Sequence, residues 1–206
     1  MELKTLTVQD FVTAAASEAP TPGGGAVAAV TAATGAALAE MVANLTIGKK
    51  GYEDVKDVML DLQQRAQVIR ERSLELAQAD ADAFGLFMNA LALPKETDEE
   101  KAIRKEALQN AYKSAGSVPF EIGELANQIF DLADIAVQQG NTNLVTDGAI
   151  AAINARAAVR AAFLNVRINL MGIKDEAFNK EMREKMEAIE SQIDAREQAI
   201  VNACNL

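Results

Sequence analysis

Two stretches of this chain consist largely of alanine, and they limit what the rest can become. Residues 26–43 hold nine alanines. Residues 149–162 repeat the pattern with Ala149, Ala151, Ala152, Ala155, Ala157, Ala158, Ala161 and Ala162. Alanine is the strongest helix former, and its single methyl leaves a helix thin enough for another backbone to approach closely. Such helices belong in the middle of a structure. The second one opens from Gly140-Asn141-Thr142-Asn143, passes through Thr146-Asp147 and runs to Met171. A glycine followed by Asn, Thr and Asp marks the end of one helix and the start of the next, with Thr146 or Asp147 able to cap the free N–H groups. The polar entrance of a central helix faces a cleft.

The remaining segments are helical too. Thr7-Val8-Gln9-Asp10 resembles a capping box and starts a short helix to about Ser17. Pro20-Thr21-Pro22-Gly23-Gly24-Gly25 breaks the chain, and its three glycines permit backbone conformations barred to other residues. The first thin helix then runs from Ala26 to about Thr46. One long helix follows from Tyr52 to Leu93, stopped by Pro94. Thr97-Asp98-Glu99-Glu100 is a true capping box for a helix to about Ala115, and Pro119 suits the first turn of the next, which ends at Gly140. A charged final helix extends from Lys174 to about Asn202. No stretch alternates as a strand. The expectation is an all-α, single-domain bundle over residues 1–206, with about seven helices, the two alanine-rich ones central, forming a homodimer.

Composition removes several function classes. A net charge of −10 argues against binding nucleic acid or an anionic membrane through bulk charge. The absence of histidine excludes a His-ligated metal, a Ser-His-Asp triad and a Cys-His pair, so acid–base chemistry falls to Asp, Glu, Lys, Tyr, Cys or water. The single Cys204 rules out an intrachain disulfide and fits a cytoplasmic protein. Ala26 to Ile47 is long enough to span a bilayer, but Thr31, Thr34, Glu40, Asn44 and Thr46 interrupt it and favour a buried core helix.

Each candidate for chemistry has a plain structural alternative. The glycine turn offers unshielded N–H groups at a positive helix end for a carboxylate or carbonyl, or is a tight turn that lets two helices touch. It lacks the Lys-Ser/Thr of a phosphate loop. Asp147 is a helix cap or, with Asn141 and Asn143, part of a cluster that reads a heterocycle. Asp80 and Asp82 point to different helix faces, so one can be buried with a raised pKa while the other is solvated. Lys49, Lys50 and Lys95 stand at helix ends, where cations also complement the dipole. Arg156, Arg160 and Arg167 must reach an interface, a carboxylate or an anionic ligand. The charged final helix is most simply a solvated outer face.

Taken together, several blocks resemble the formiminotransferase-cyclodeaminase C-terminal domain family. They are Pro20 to Gly25, Met41 to Lys50, Asp80 with Ala83-Phe84, Leu93-Pro94-Lys95, Gly140-Asn141 with Asp147, and Asn165-Val166-Arg167-Ile168-Asn169-Leu170. Ala26 and Thr146 stand where the family has Ser, and Gly51 where it often has a basic or polar residue. The resemblance implies an all-helical cytoplasmic homodimer acting on a tetrahydrofolate derivative, polyglutamylated or not, with no metal and no cofactor beyond that carrier. It implies hydrolysis of 5,10-methenyltetrahydrofolate to the 10-formyl form. The alternatives are cyclodeamination of 5-formiminotetrahydrofolate and a catalytically silent folate-binding protein. It assigns catalysis to Asp147, Asp80 and Lys50, and substrate binding to Pro22, Gly23, Gly24, Gly25, Lys49, Lys95, Asn141, Asn143 and Arg167.

Overall fold

The structure, a computed structural model, describes residues 2–205. They form six α-helices: α1 (Val8–Ala15), α2 (Gly24–Asn44), α3 (Lys56–Leu91), α4 (Asp98–Gln139), α5 (Val145–Leu170) and α6 (Glu176–Asn202). One single-turn 3-10 helix precedes α1 and two more join α2 to α3 and α4 to α5, and no strand occurs among the described residues.

The two thin helices lie side by side and antiparallel at the centre. Gly24 meets Asn165, Gly35 meets Ala151 and Asn154, and Thr46 meets Asn141. Ala28, Ala32, Ala36 and Ala39 of α2 are fully buried, as are Ala151, Ala155, Ala158 and Ala162 of α5. The close approach follows from their size: a Cβ on Gly35 would sit 3.2 Å from the Ala151 carbonyl oxygen. The long helices α3 and α4 pack on this pair and bring the bulk, including Met59, Leu62, Ile129 and Phe130.

The expected seventh helix is absent because the break expected between Ala115 and Pro119 does not occur. Pro119 lies inside the single, continuous α4. Proline cannot donate to the carbonyl four residues back, which normally breaks a helix. Here the Asn169 side chain of α5 donates to that Ala115 carbonyl at 2.9 Å and replaces the missing bond. The thin α5 lets the amide come close enough.

The final helix follows its apolar period: Met186, Ile193 and Ile200, seven apart, are buried. The three α5 arginines are answered by α6 carboxylates, Arg156 by Glu197, Arg160 by Asp194 and Arg167 by Glu190. Partly exposed pairs of this kind contribute about 0.2–1 kcal/mol each, so the buried side chains hold α6 and the ion pairs set its register.

Gly123 of α4 leaves room for the buried Phe163 ring of α5, and a Cβ there would overlap it. Gly123→Ala is expected to cost about 1–3 kcal/mol by overpacking, visible as a lowered Tm in thermal unfolding followed by circular dichroism.

Candidate functional site

A cleft of about 550 Å³ opens where the Pro20–Gly25 turn meets α3, α4 and the end of α5. Its size suits a small organic ligand. Asp80, Phe84 and Phe87 of α3, at positions i, i+4 and i+7, face it together. Asp82 points away, exposed and bonded to Gln78 at 2.9 Å. The two aspartates thus divide as their spacing requires.

The Asp80 carboxyl sits at the first turn of α2. Burial pushes its pKa above the usual carboxylate value, and a hydrogen bond from the Ala26 N–H pulls the other way. A Cβ on Gly25 would overlap the carboxyl, and one on Gly24 would lie 3.3 Å from Asn165 Nδ2. The glycines are therefore needed for space. None of Gly23, Gly24 or Gly25 has a positive φ, so their expected conformational role is not used; positive φ falls instead on Gly48 and Gly51, flanking Lys49-Lys50.

The opposite wall carries Asn165 and Asn169 of α5. Asn165 Nδ2 donates to Ala161 O at 2.8 Å, and Asn169 Nδ2 to Ala115 O and Asn165 O. Asn169 thus spends both amide donors on backbone and Asn165 one of its two, so each keeps a free Oδ1 acceptor and Asn165 one N–H. The third wall is aromatic. Phe87 packs between Phe84 at 6.4 Å and Tyr112 of α4 at 4.9 Å, centroid to centroid. Gly172 gives the Tyr112 ring room, since a Cβ there would overlap it. The cleft offers acceptors, helix-terminal N–H groups and aromatic faces to a flat, donor-rich heterocycle.

The other expected site residues lie elsewhere. Asn141 is buried at the far end of α2. Its N–H donates to Thr46 Oγ1 at 2.9 Å, and its Oδ1 accepts from Lys49 Nζ at 3.0 Å and from the Asn143 N–H at 3.2 Å. Asn141, not Thr146 or Asp147, thus caps the turn into α5. Asp147 is half-buried in the first turn of α5 without a hydrogen-bond or ion-pair partner among the described residues, and Lys50 and Asn143 are exposed. This group is separated from Asp80 by the whole of α2, about 30 Å at ~1.5 Å per residue. One chain cannot bring Asp80 and Asp147 to the same atom. Pro22 is buried behind the cleft, and Lys95 lines a neighbouring groove. Arg167, expected to hold substrate, faces α6 and is paired with Glu190.

The profile of the Formiminotransferase-cyclodeaminase family matches residues 7–188. The chain belongs to that family. It is 40% identical over 183 residues to the methenyltetrahydrofolate cyclohydrolase of Methylorubrum extorquens, covering 89% of this chain and 88% of that protein. It is 34% identical over 179 residues to the formimidoyltransferase-cyclodeaminase of Rattus norvegicus, covering 87% of this chain but 33% of that much longer protein. The crystal structure of formiminotetrahydrofolate cyclodeaminase from Thermotoga maritima superimposes with a TM-score of 0.88 at 37% identity, over 99% of this chain and 98% of that one.

The family blocks converge in space as two groups, one at each end of α2. Among the departures from the family pattern, Ala26 keeps the backbone N–H that meets Asp80, so the missing hydroxyl does not touch that contact. Gly51, at φ 89°, occupies a conformation that glycine adopts without strain. Phe87, Tyr112, Asn165 and Asn169 received no role from sequence. The available signal was the i, i+4 spacing of the two asparagines on an alanine helix; nothing local pairs Tyr112 with Phe87.

A raised carboxyl pKa weakens the fold above that pKa, and the penalty vanishes as pH falls through it to the unfolded value. Asp80→Asn is accordingly expected to unfold at or above the wild-type temperature at pH 7. Its advantage should shrink toward pH 4, measured by thermal melts across that range.

Proposed function

We propose that this protein is a tetrahydrofolate one-carbon enzyme that hydrolyses 5,10-methenyltetrahydrofolate to 10-formyltetrahydrofolate. The observation that carries this reading is the Asp80 carboxyl, half-buried at the N-terminus of α2 in a cleft walled by amide acceptors and aromatic rings. The pterin's N–H groups meet Asn165 and Asn169, and the aminobenzoyl ring runs along Phe87 and Tyr112. Asp80 faces the cationic bridging carbon. As a carboxylate it stabilises that charge, and with a raised pKa it is a competent base for the attacking water. Water adds to the methenyl carbon and gives one proton to Asp80. The carbinol oxygen of the resulting tetrahedral carbon then gives up its remaining proton as the C=O forms and the C–N5 bond breaks; N5 takes that proton, and the formyl group stays on N10.

The glutamate end leaves past Tyr112 into a groove of about 340 Å³ lined by Lys95, Lys101, Arg104, Lys105 and Lys174, which shares Tyr112 and Gly172 with the cleft. Gln109 fixes Lys174 there by donating to Gly172 O at 2.9 Å and accepting the Lys174 N–H at 2.7 Å. A cluster of cations on a chain of net charge −10 suits the carboxylates of a single or extended glutamate tail.

The 40% identity to a relative of like length named for the cyclohydrolase reaction favours hydrolysis. The likeness to the Thermotoga maritima cyclodeaminase supports a second reading, in which N10 attacks a formimino carbon and ammonia leaves. The same cleft serves both, because each passes through a tetrahedral carbon between two folate nitrogens.

The ultraviolet absorbance of 5,10-methenyltetrahydrofolate separates the two. Decay above the spontaneous rate, proportional to enzyme and reduced about 10²–10⁴-fold in Asp80→Asn, is the expected result. Unchanged decay, with absorbance growing from 5-formiminotetrahydrofolate as ammonia is released, assigns the cyclodeaminase reaction. Silence on both substrates overturns the enzyme reading.

A further inference from the structure

The lining of the cleft is one-sided in charge. It contains one carboxyl, that of Asp80, and no Lys or Arg among the described residues. The cations of the neighbouring groove stand beyond Tyr112 and Gly172, the two residues that groove and cleft share. Around the carboxyl are the rings of Phe84, Phe87 and Tyr112 and the free Oδ1 atoms of Asn165 and Asn169. Each of these groups offers negative potential, the carboxylate by its charge, the amide oxygens by their dipoles and the rings by their quadrupoles. The N-terminus of α2 opposes them with about half a positive charge. Ionised Asp80 outweighs it, and the carboxyl also takes up the Ala26 N–H.

Two of the rings are not explained by packing. Phe120, Phe130 and Phe163 are buried and make up the aromatic part of the core, whereas Phe84 and Phe87 are half-buried and stand apart from it. Neighbouring rings are tilted by 45° and 53° rather than stacked flat, which leaves ring surface free for a ligand. Phe84 follows Asp80 by one helical turn on the same face of α3, so a flat ligand that meets the carboxylate also meets this ring. Burial pushes the Asp80 pKa up, and a cation placed beside it favours the charged form again.

We infer that the cleft selects its ligand by positive charge, with Phe84 as the residue that determines this specificity. The ligand class is a flat, delocalised organic cation of the amidinium type, held between the Asp80 carboxylate and the Phe84 ring. For the reaction this rests on the folate reading of the cleft. The N5–C–N10 bridge of 5,10-methenyltetrahydrofolate is such a cation, and the formyl product is neutral there. Hydration therefore discharges the ligand and loosens its hold, so the cleft binds substrate in preference to product and to other neutral folates.

The test compares wild type with Phe84→Leu, which keeps an apolar side chain but no ring, and with Phe84→Tyr, which keeps the ring. Folding of each is checked by circular dichroism. KM is measured for 5,10-methenyltetrahydrofolate, and an inhibition constant for 5-formyltetrahydrofolate, which is neutral at the bridge position. In Phe84→Leu the KM is expected to rise about tenfold with kcat no lower, while the inhibition constant stays within about twofold. Phe84→Tyr should keep the wild-type preference. Equal weakening of both ligands, or a loss confined to kcat, overturns the role of Phe84. A second arm uses no folate and titrates the protein calorimetrically with benzamidinium and with benzamide, a neutral molecule of the same shape. Tighter binding of benzamidinium, lost in Phe84→Leu, is the expected result. If wild type is silent on folates and this preference is present, the folate reading fails and the cation site stands. Absence of the preference in wild type overturns the inference.

Discussion

The structure depends on how closely α2 and α5 approach. Their facing side chains are mostly methyl groups, and Gly35 removes even that at the tightest point. Burying a methyl contributes only about 0.8 kcal/mol, so the alanines are not the main source of stability. Larger side chains such as Phe130, Phe163 and Met59 bury far more apolar area. What the alanines determine is position. With the axes this close, Gly24 comes against Asn165 at one end and Thr46 against Asn141 at the other. Larger residues in between would separate both ends and undo both groups.

The same closeness explains features that look unrelated in the sequence. Asn169 can reach across and satisfy the carbonyl that Pro119 strands, which turns a helix breaker into an interior residue. In doing so it uses its donors and leaves an acceptor toward the cleft. Glycine at 25 admits the Asp80 carboxyl to the end of α2, where the Ala26 N–H partly offsets its burial. The cleft is polar on two walls and aromatic on the third because α5, α3 and α4 each contribute one helical face.

Charge is distributed with equal economy. The strongly acidic surface coexists with one basic groove that opens from the cleft past Tyr112. The three α5 arginines are not part of it, since α6 supplies a carboxylate for each. Arg167 illustrates the limit of local reading. It lies between two cleft-facing asparagines in the motif, but the helical turn carries it to the opposite side.

The sequence by itself determined the helical class, the two central helices, the Thr7 cap, the Thr97–Glu100 capping box and the buried stripe of α6. These follow from local propensity and from a period of 3.6, which neighbouring residues carry without help. It also singled out Asp80, the glycine turn and Asp147 as places where chemistry could sit. Tertiary structure alone decided that Asp80 and Asp147 lie at opposite ends of α2, that Tyr112 completes the cleft, and that α4 passes unbroken through Pro119. Those outcomes depend on contacts between residues far apart in the chain. No local pattern reports which side chain will arrive from another helix to supply a hydrogen bond, an aromatic face or the space for a carboxyl group.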